Sequence, residues 1–263
     1  MREWWTGLSQ RRRALLAVVA LAVVAGVVAV VAQFAPVRTA PAREGVGPVL
    51  LVPGYGGSRG SLSTLADRVR RTGREATVLT LPGDGTGDLR AQVRVLDDAA
   101  RAALDAGAPS VDVIGYSAGG VVARLWVATE DGAAAARRVI TLGSPLHGTR
   151  IAAAGGVLAP GACPVACQQL SPGSALLTGV AGDPGVPWLS MWTEDDRTVL
   201  PPDSARLDGA VNVSLQDVCP DAEIAHSQLP GDPLVTGLVL RALGTTRLAA
   251  PDPGDCAELR TTR

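Results

Sequence analysis

The sequence predicts an α/β fold: a mostly parallel sheet of about six strands, with helices on both faces and no large cap. Three observations predict it. Short, largely apolar runs recur along the chain, and strands of that kind belong to parallel sheets buried on both sides. These runs alternate with segments of helical periodicity, as βα units require. Residues with chemical potential fall just past the runs, at the carboxyl ends of strands, where open α/β sheets place their sites.

Each element can be justified in order. Val49–Val52 is an apolar run closed by Pro53-Gly54 and reads as the first strand. Ser61 to Arg71 carries Leu62, Leu65 and Val69 at helical spacing, with Ser61 as N-cap and Gly73 as stop. Ala76–Leu81 is a second strand ending at Pro82-Gly83, and Asp88–Ala106 a long helix with Leu89, Val93, Leu96, Ala100 and Leu104 on one face. Val111–Ile114 is the third strand, followed by a helical segment, Val121–Ala128. Arg138–Leu142, Trp188–Trp192 and Val211–Leu215 complete the sheet, and Pro233–Leu243 is a closing helix.

With 263 residues, 47% hydrophobic and 19% charged, the chain can bury a full core. A net charge of -1 and the lack of a basic stripe exclude a nucleic-acid partner. All 24 basic residues are Arg, which with the abundance of Ala, Gly and Val points to a GC-rich genome. Arg11-Arg12-Arg13 precede nineteen apolar residues, Ala14–Ala32. That length approaches a bilayer core, whereas a cleaved signal carries about 7–15 apolar residues. The expected organisation is therefore a cytoplasmic segment 1–13, a transmembrane signal anchor or signal peptide 14–35, a Pro- and Gly-bearing linker 36–47, and a catalytic domain 48–263 exported across the membrane. The domain stays membrane-anchored if the helix is retained and is secreted if the signal is cleaved at the weak Ala40-Pro41-Ala42 site. The paired arginines also leave twin-arginine export open. The domain is expected to be a monomer.

Between the third strand and its helix stands Gly115-Tyr116-Ser117-Ala118-Gly119. Strand, G-x-S-x-G and helix together make a nucleophile elbow, where a tight turn exposes a serine hydroxyl. A serine needs a base, and the base needs an acid to fix its tautomer. Only two histidines exist. His226 follows the sixth strand and is the candidate base; His147 follows the fourth and is expected to line the substrate with Gly54 and Tyr116. Asp195 and Asp196 follow the fifth strand, and Asp196 is the preferred acid, with Asp208 and Asp217 as distant alternatives. Backbone N–H groups of Tyr55, in the glycine-rich loop after the first strand, and of Ala118 are the candidate oxyanion donors. That loop lacks both Gly-Lys-Ser/Thr and G-x-G-x-x-G, which argues against a nucleotide site.

The runs Leu51-Val52-Pro53-Gly54-Tyr55-Gly56-Gly57, Gly115–Gly120, Leu142–Thr149 and Arg206–Val213 resemble the small bacterial triacylglycerol lipases and esterases of the α/β-hydrolase fold, of the kind secreted by Bacillus and actinobacteria. The likeness covers nearly everything from Pro48 to Leu243. It implies Ser117 as nucleophile, Asp196 as acid, His226 as base, Tyr55 and Ala118 as oxyanion donors, and an acyl ester or lipid substrate with no cofactor. Asp196-Arg197-Thr198-Val199 fits the family's acid segment better than a start at Asp195. Pro53 stands where the family often has histidine, and neither the cysteines nor the apolar stretch belongs to the minimal Bacillus form. Acyl transfer or thioester hydrolysis would use the same triad, and a silent binding protein would use only the fold.

Four cysteines in the exported part suit an oxidising compartment and allow three pairings. Proximity favours Cys163 with Cys167, which leaves Cys219 with Cys256. No metal is expected: Cys163-x-x-x-Cys167 has only His147 and His226 to complete a ligand set.

Overall fold

The structure, a computed structural model, describes residue 11 and residues 45–158, 160–244 and 247–262. The expected anchor at 14–35 lies outside the described residues, as does nearly all of the segment before it and of the linker after it. Among the described residues no helix is long and apolar enough to cross a membrane. The chain divides after Arg38, and all described residues but one belong to the second unit.

Six parallel strands form one sheet in the order β2-β1-β3-β4-β5-β6: β1 (Val49–Val52), β2 (Ala76–Val78), β3 (Val111–Tyr116), β4 (Ala136–Leu142), β5 (Trp188–Trp192) and β6 (Val211–Ser214). The period-2 alternation of side chains divides the apolar residues between two cores. Leu50 and Val52, Val113, Val139 and Trp188 enter one core, beneath α2 (Leu89–Asp105) and α3 (Ala118–Thr129). Val49 and Leu51, Ile114, Ile140 and Leu142, Leu189 and Met191 enter the other, beneath α1 (Gly60–Arg71). Leu62, Leu65, Ala66 and Val69 form the buried stripe of α1, at i, i+3, i+4 and i+7. Asp88 caps α2 by accepting the N–H of Arg90 at 2.9 Å.

Sequence and structure differ at element ends. The second strand stops at Val78, although Leu79 still donates to Leu51 O and Leu81 is buried. Its neighbour β1 ends at Val52 and is followed by Pro53, which has no N–H with which to extend a ladder. Leu215 opens a helical turn in place of ending β6. The helix after the elbow begins at Ala118, not Val121.

The region between β4 and β5 is more helical than its Gly and Pro content suggests, yet it makes only short pieces. After a single turn α4 (Gly132–Ala135) ahead of β4, these pieces are α5 (Arg150–Leu158), a 3-10 turn (Pro160–Ala162), α6 (Val165–Gln169) and α7 (Ala175–Thr178). The Cys163–Cys167 disulfide joins the 3-10 turn region to α6, and Leu89 N donates to Gln169 Oε1 at 2.8 Å. Beyond β6 follow α8 (Leu215–Val218), α9 (Pro233–Gly244), which covers the second core, and α10 (Cys256–Thr261), which the Cys219–Cys256 disulfide ties to the end of α8.

The amino-terminal edge of the sheet is closed by charge. Asp112, fully buried, pairs with Arg74 at 2.6 Å and with Arg137 through two hydrogen bonds. Arg74 also donates to Gly47 O, and Ser110 to Gly45 O. Arg137 and Arg138 reach the last carbonyls of α9, on Leu243 and Ala242. A buried carboxylate with these partners satisfies both its charge and its lone pairs.

Candidate active site

Ser117, His226 and Asp196 come together at the opposite, carboxyl edge. Ser117 leaves β3 with φ 53° and ψ -125°, a region costly for any residue with a Cβ. The turn is possible because its flanks are glycines. A Cβ on Gly115 would lie 2.5 Å from Gly120 Cα, and one on Gly119 would lie 2.2 Å from Val52 O. The strained turn lifts Ser117 Oγ to 3.0 Å from His226 Nε2.

The candidate acid is fixed by its loop. Asp196, 1% exposed, accepts the N–H groups of Thr198 and Val199 on Oδ1, each at 2.8 Å, and directs Oδ2 at His226 Nδ1, 2.6 Å away. Asp195 is exposed and meets only Gln216 Nε2, at 3.4 Å, through its carboxylate. Asp208 and Asp217 are exposed as well. The two neighbouring aspartates diverge because the turn after β5 gives its inner face to one side chain only.

Two residues that the sequence did not single out hold this loop. Thr149 Oγ1 donates to Thr198 O at 3.1 Å and accepts from Leu200 N at 2.9 Å. Gln216 accepts from Glu194 N at 3.0 Å and donates to Thr193 Oγ1 at 3.0 Å and to Ala222 O at 2.9 Å, so it joins the acid loop to the loop that carries His226. Most of their partners are backbone atoms, several of them distant in sequence.

Ala118 follows Ser117 directly, and Tyr55 follows Gly54, which lies against Ser117. Ala118 begins α3, so its N–H is among those with no intrahelical acceptor. Tyr55 stands in the turn closed by Gly57 N donating to Gly54 O at 3.0 Å, and its side chain is 44% exposed. Burial first, and the charge of Asp84 second, raise its phenol above the ordinary value. Gly54 abuts Ser117, since a Cβ there would lie 2.9 Å from Ser117 Cβ.

The other two expected substrate contacts are placed differently. His147 is exposed and its Nδ1 lies 3.2 Å from Ser204 O. Tyr116 turns its hydroxyl to His226 O at 3.2 Å, and its ring lies 5.2 Å from the imidazole, tilted by 31°. Burial, reinforced by the charge of Asp196, pushes its phenol up to about 12, so it remains a donor throughout the neutral range. Among the described residues, the group Cys219, Asp221 and Cys256 has metal-ligand proximity, but its two sulfurs are bonded to each other.

Residues 44–158 match the family model described as PGAP1-like alpha/beta domain. Lipase B of Aspergillus fumigatus superposes with a TM-score of 0.69 at 19% identity, over 85% of this chain and 58% of the fungal one. The mature lipase BlEst2 of Bacillus licheniformis superposes with a TM-score of 0.62 at 17% identity, over 78% of this chain and 93% of that one. The chain thus spans somewhat over half of the fungal lipase and nearly all of the mature Bacillus protein. No curated protein matches it by sequence. The fold is that of the α/β-hydrolases, with the parallel sheet and two helical faces that the sequence predicts.

Proposed function

We propose that the protein is a serine carboxylic-ester hydrolase acting on short- to medium-chain acyl or lipid esters. One observation carries the reading: Ser117 Oγ, His226 and Asp196 form an unbroken hydrogen-bonded series, 3.0 Å and 2.6 Å per link, on a strained elbow. The lipases among its structural neighbours point to the same chemistry.

In this reading Ser117 Oγ attacks the ester carbonyl carbon while His226 Nε2 accepts its proton. Asp196 holds the Nδ1–H tautomer and stabilises the imidazolium. The N–H groups of Tyr55 and Ala118 receive the oxyanion. The C–O bond to the alcohol breaks, and the alcohol leaves with the proton from Nε2. Water, deprotonated by His226, then releases the acid and restores Ser117. Neither metal nor cofactor enters these steps. The anchor reading of 14–35 would place the domain outside the cytoplasm, held at the membrane.

Hydrolysis of a nitrophenyl ester by the purified full chain tests the proposal, with Ser117→Ala as the paired variant. Loss on the order of 10³-fold or more in a folded variant is expected. Retention of most activity would overturn the reading. No turnover of any ester by the unaltered chain would favour a binding protein, and turnover only with an added alcohol or a thioester would favour the acyl-transfer alternatives.

A further inference from the structure

We infer that Tyr116, the variable residue of the G-x-S-x-G turn, is a positioning residue for His226 and not a wall of the substrate groove. Nucleophile and base lie 109 residues apart in sequence. They are nonetheless held in register by two adjacent residues of one strand end. Ser117 Oγ meets His226 Nε2, and Tyr116 Oη donates to the backbone carbonyl of the same histidine. The elbow therefore fixes both the ring and the main chain of the base from a single rigid origin.

The surroundings of His226 show why such a brace matters. The histidine begins a 3-10 turn, His226–Gly231, at the end of a loop from Cys219. On one side its ring faces Gly143, where a Cβ would lie 3.1 Å from Nδ1. A Cβ at that position would also lie 2.5 Å from Leu229 Cδ1, so only glycine lets the leucine and the imidazole close over the same point. Tyr116 occupies another side, with ring centroids 5.2 Å apart. Rotation of the imidazole out of line with Ser117 is limited by that ring and by the bond to Asp196.

The kinetic part of the test rests on the ester-hydrolase reading; the spectroscopic part does not. Tyr116→Phe keeps the ring and removes the hydroxyl, while Tyr116→Leu removes both. Steady-state kinetics with a nitrophenyl ester should show kcat falling about 2- to 10-fold in Tyr116→Phe, the worth of one neutral hydrogen bond. The fall in Tyr116→Leu should be on the order of 10²-fold, as for a misplaced catalytic group. KM should stay within about twofold in both. The far-downfield proton NMR signal of the Nδ1–H shared with Asp196 is the independent readout, and it is assignable because His147→Asn removes the only other histidine. It should broaden on warming earlier in Tyr116→Phe than in the unaltered protein, and earlier still in Tyr116→Leu. If Tyr116→Leu fails to fold, Tyr116→Phe decides alone. Unchanged kcat with raised KM would make Tyr116 a substrate contact and overturn the inference, and so would an unchanged downfield signal in the folded variants. A chain without esterase activity whose signal still responds to Tyr116 would sink the proposed function and leave the positioning role standing.

Discussion

Asp196→Asn tests the site most sharply, because the structure dictates how the amide must sit. Oδ1 of Asp196 accepts two backbone N–H groups, from Thr198 and Val199, at 2.8 Å each. The amide oxygen of asparagine has to remain there. Turning it would set an NH2 group against two N–H donors and lose two hydrogen bonds worth about 1 kcal/mol each before repulsion is counted. The NH2 therefore faces His226 Nδ1, where Asp196 Oδ2 lay 2.6 Å away. Donor against donor forces the other tautomer, with the proton on Nε2. That nitrogen then donates to Ser117 Oγ and cannot accept from it. The expected loss in kcat is about 10⁴-fold, equivalent to roughly 5.5 kcal/mol of transition-state stabilisation. The fold should be spared, because shape and backbone bonds are kept. Asp195→Asn, at an exposed carboxylate with a single long contact, should change kcat less than about threefold. Stopped assays with a nitrophenyl ester on both variants, with thermal unfolding alongside, decide the matter. A larger loss in Asp195→Asn, or more than a tenth of normal activity in Asp196→Asn, would refute the reasoning.

Three further outcomes are expected. Opening Cys219–Cys256, which closes 37 residues, should lower unfolding free energy by about 4 kcal/mol on a chain-entropy basis, against about 2 kcal/mol for Cys163–Cys167, which closes 4; urea titration of the two Ser double variants measures the order, and equal losses would count against it. Asp112→Ala should destabilise by about 3–5 kcal/mol, because Arg137 and Arg74 lose a buried partner, while kcat per folded molecule stays unchanged at the far edge of the sheet; a kcat change in samples matched for folded fraction would argue against this separation. Hydrolysis of tributyrin should rise smoothly through its solubility limit, because the β4–β5 region is made of helices of nine, five and four residues pinned by a disulfide and by bonds to α2; a sharp rise at the emulsion threshold would reveal a mobile cover.

The sheet was legible because its signal is local. Val49–Val52 is apolar wherever it faces and Val111–Ile114 is apolar but for Asp112, and their bounding glycines and prolines mark the ends. Ser117 and His226 were legible for a different reason, the rarity of histidine and the glycine spacing of the elbow. The roles of Tyr116, Thr149 and Gln216 were not legible. Each acts by hydrogen-bonding a backbone atom brought near only by folding, and a backbone partner leaves no mark in sequence. The first helix between β4 and β5 was hidden by its glycines, Gly155 and Gly156, which lie inside α5 beside the Cys163 and Cys167 sulfurs. The end of β2 was missed because Leu79 and Leu81 keep the alternation of a strand after the ladder has stopped.

The parallel sheet gives the molecule a handle and a working end. Every strand runs the same way, so the chain enters at Gly45–Pro48, clasped by Ser110 and Arg74, while Ser117 emerges at the other extremity of β3. Six strand residues at about 3.3 Å each hold the two about 20 Å apart. Whatever is joined ahead of Gly45 is thus attached at the face farthest from the chemistry. A fusion partner, an affinity tag or a solid support coupled there leaves the catalytic mouth unobstructed.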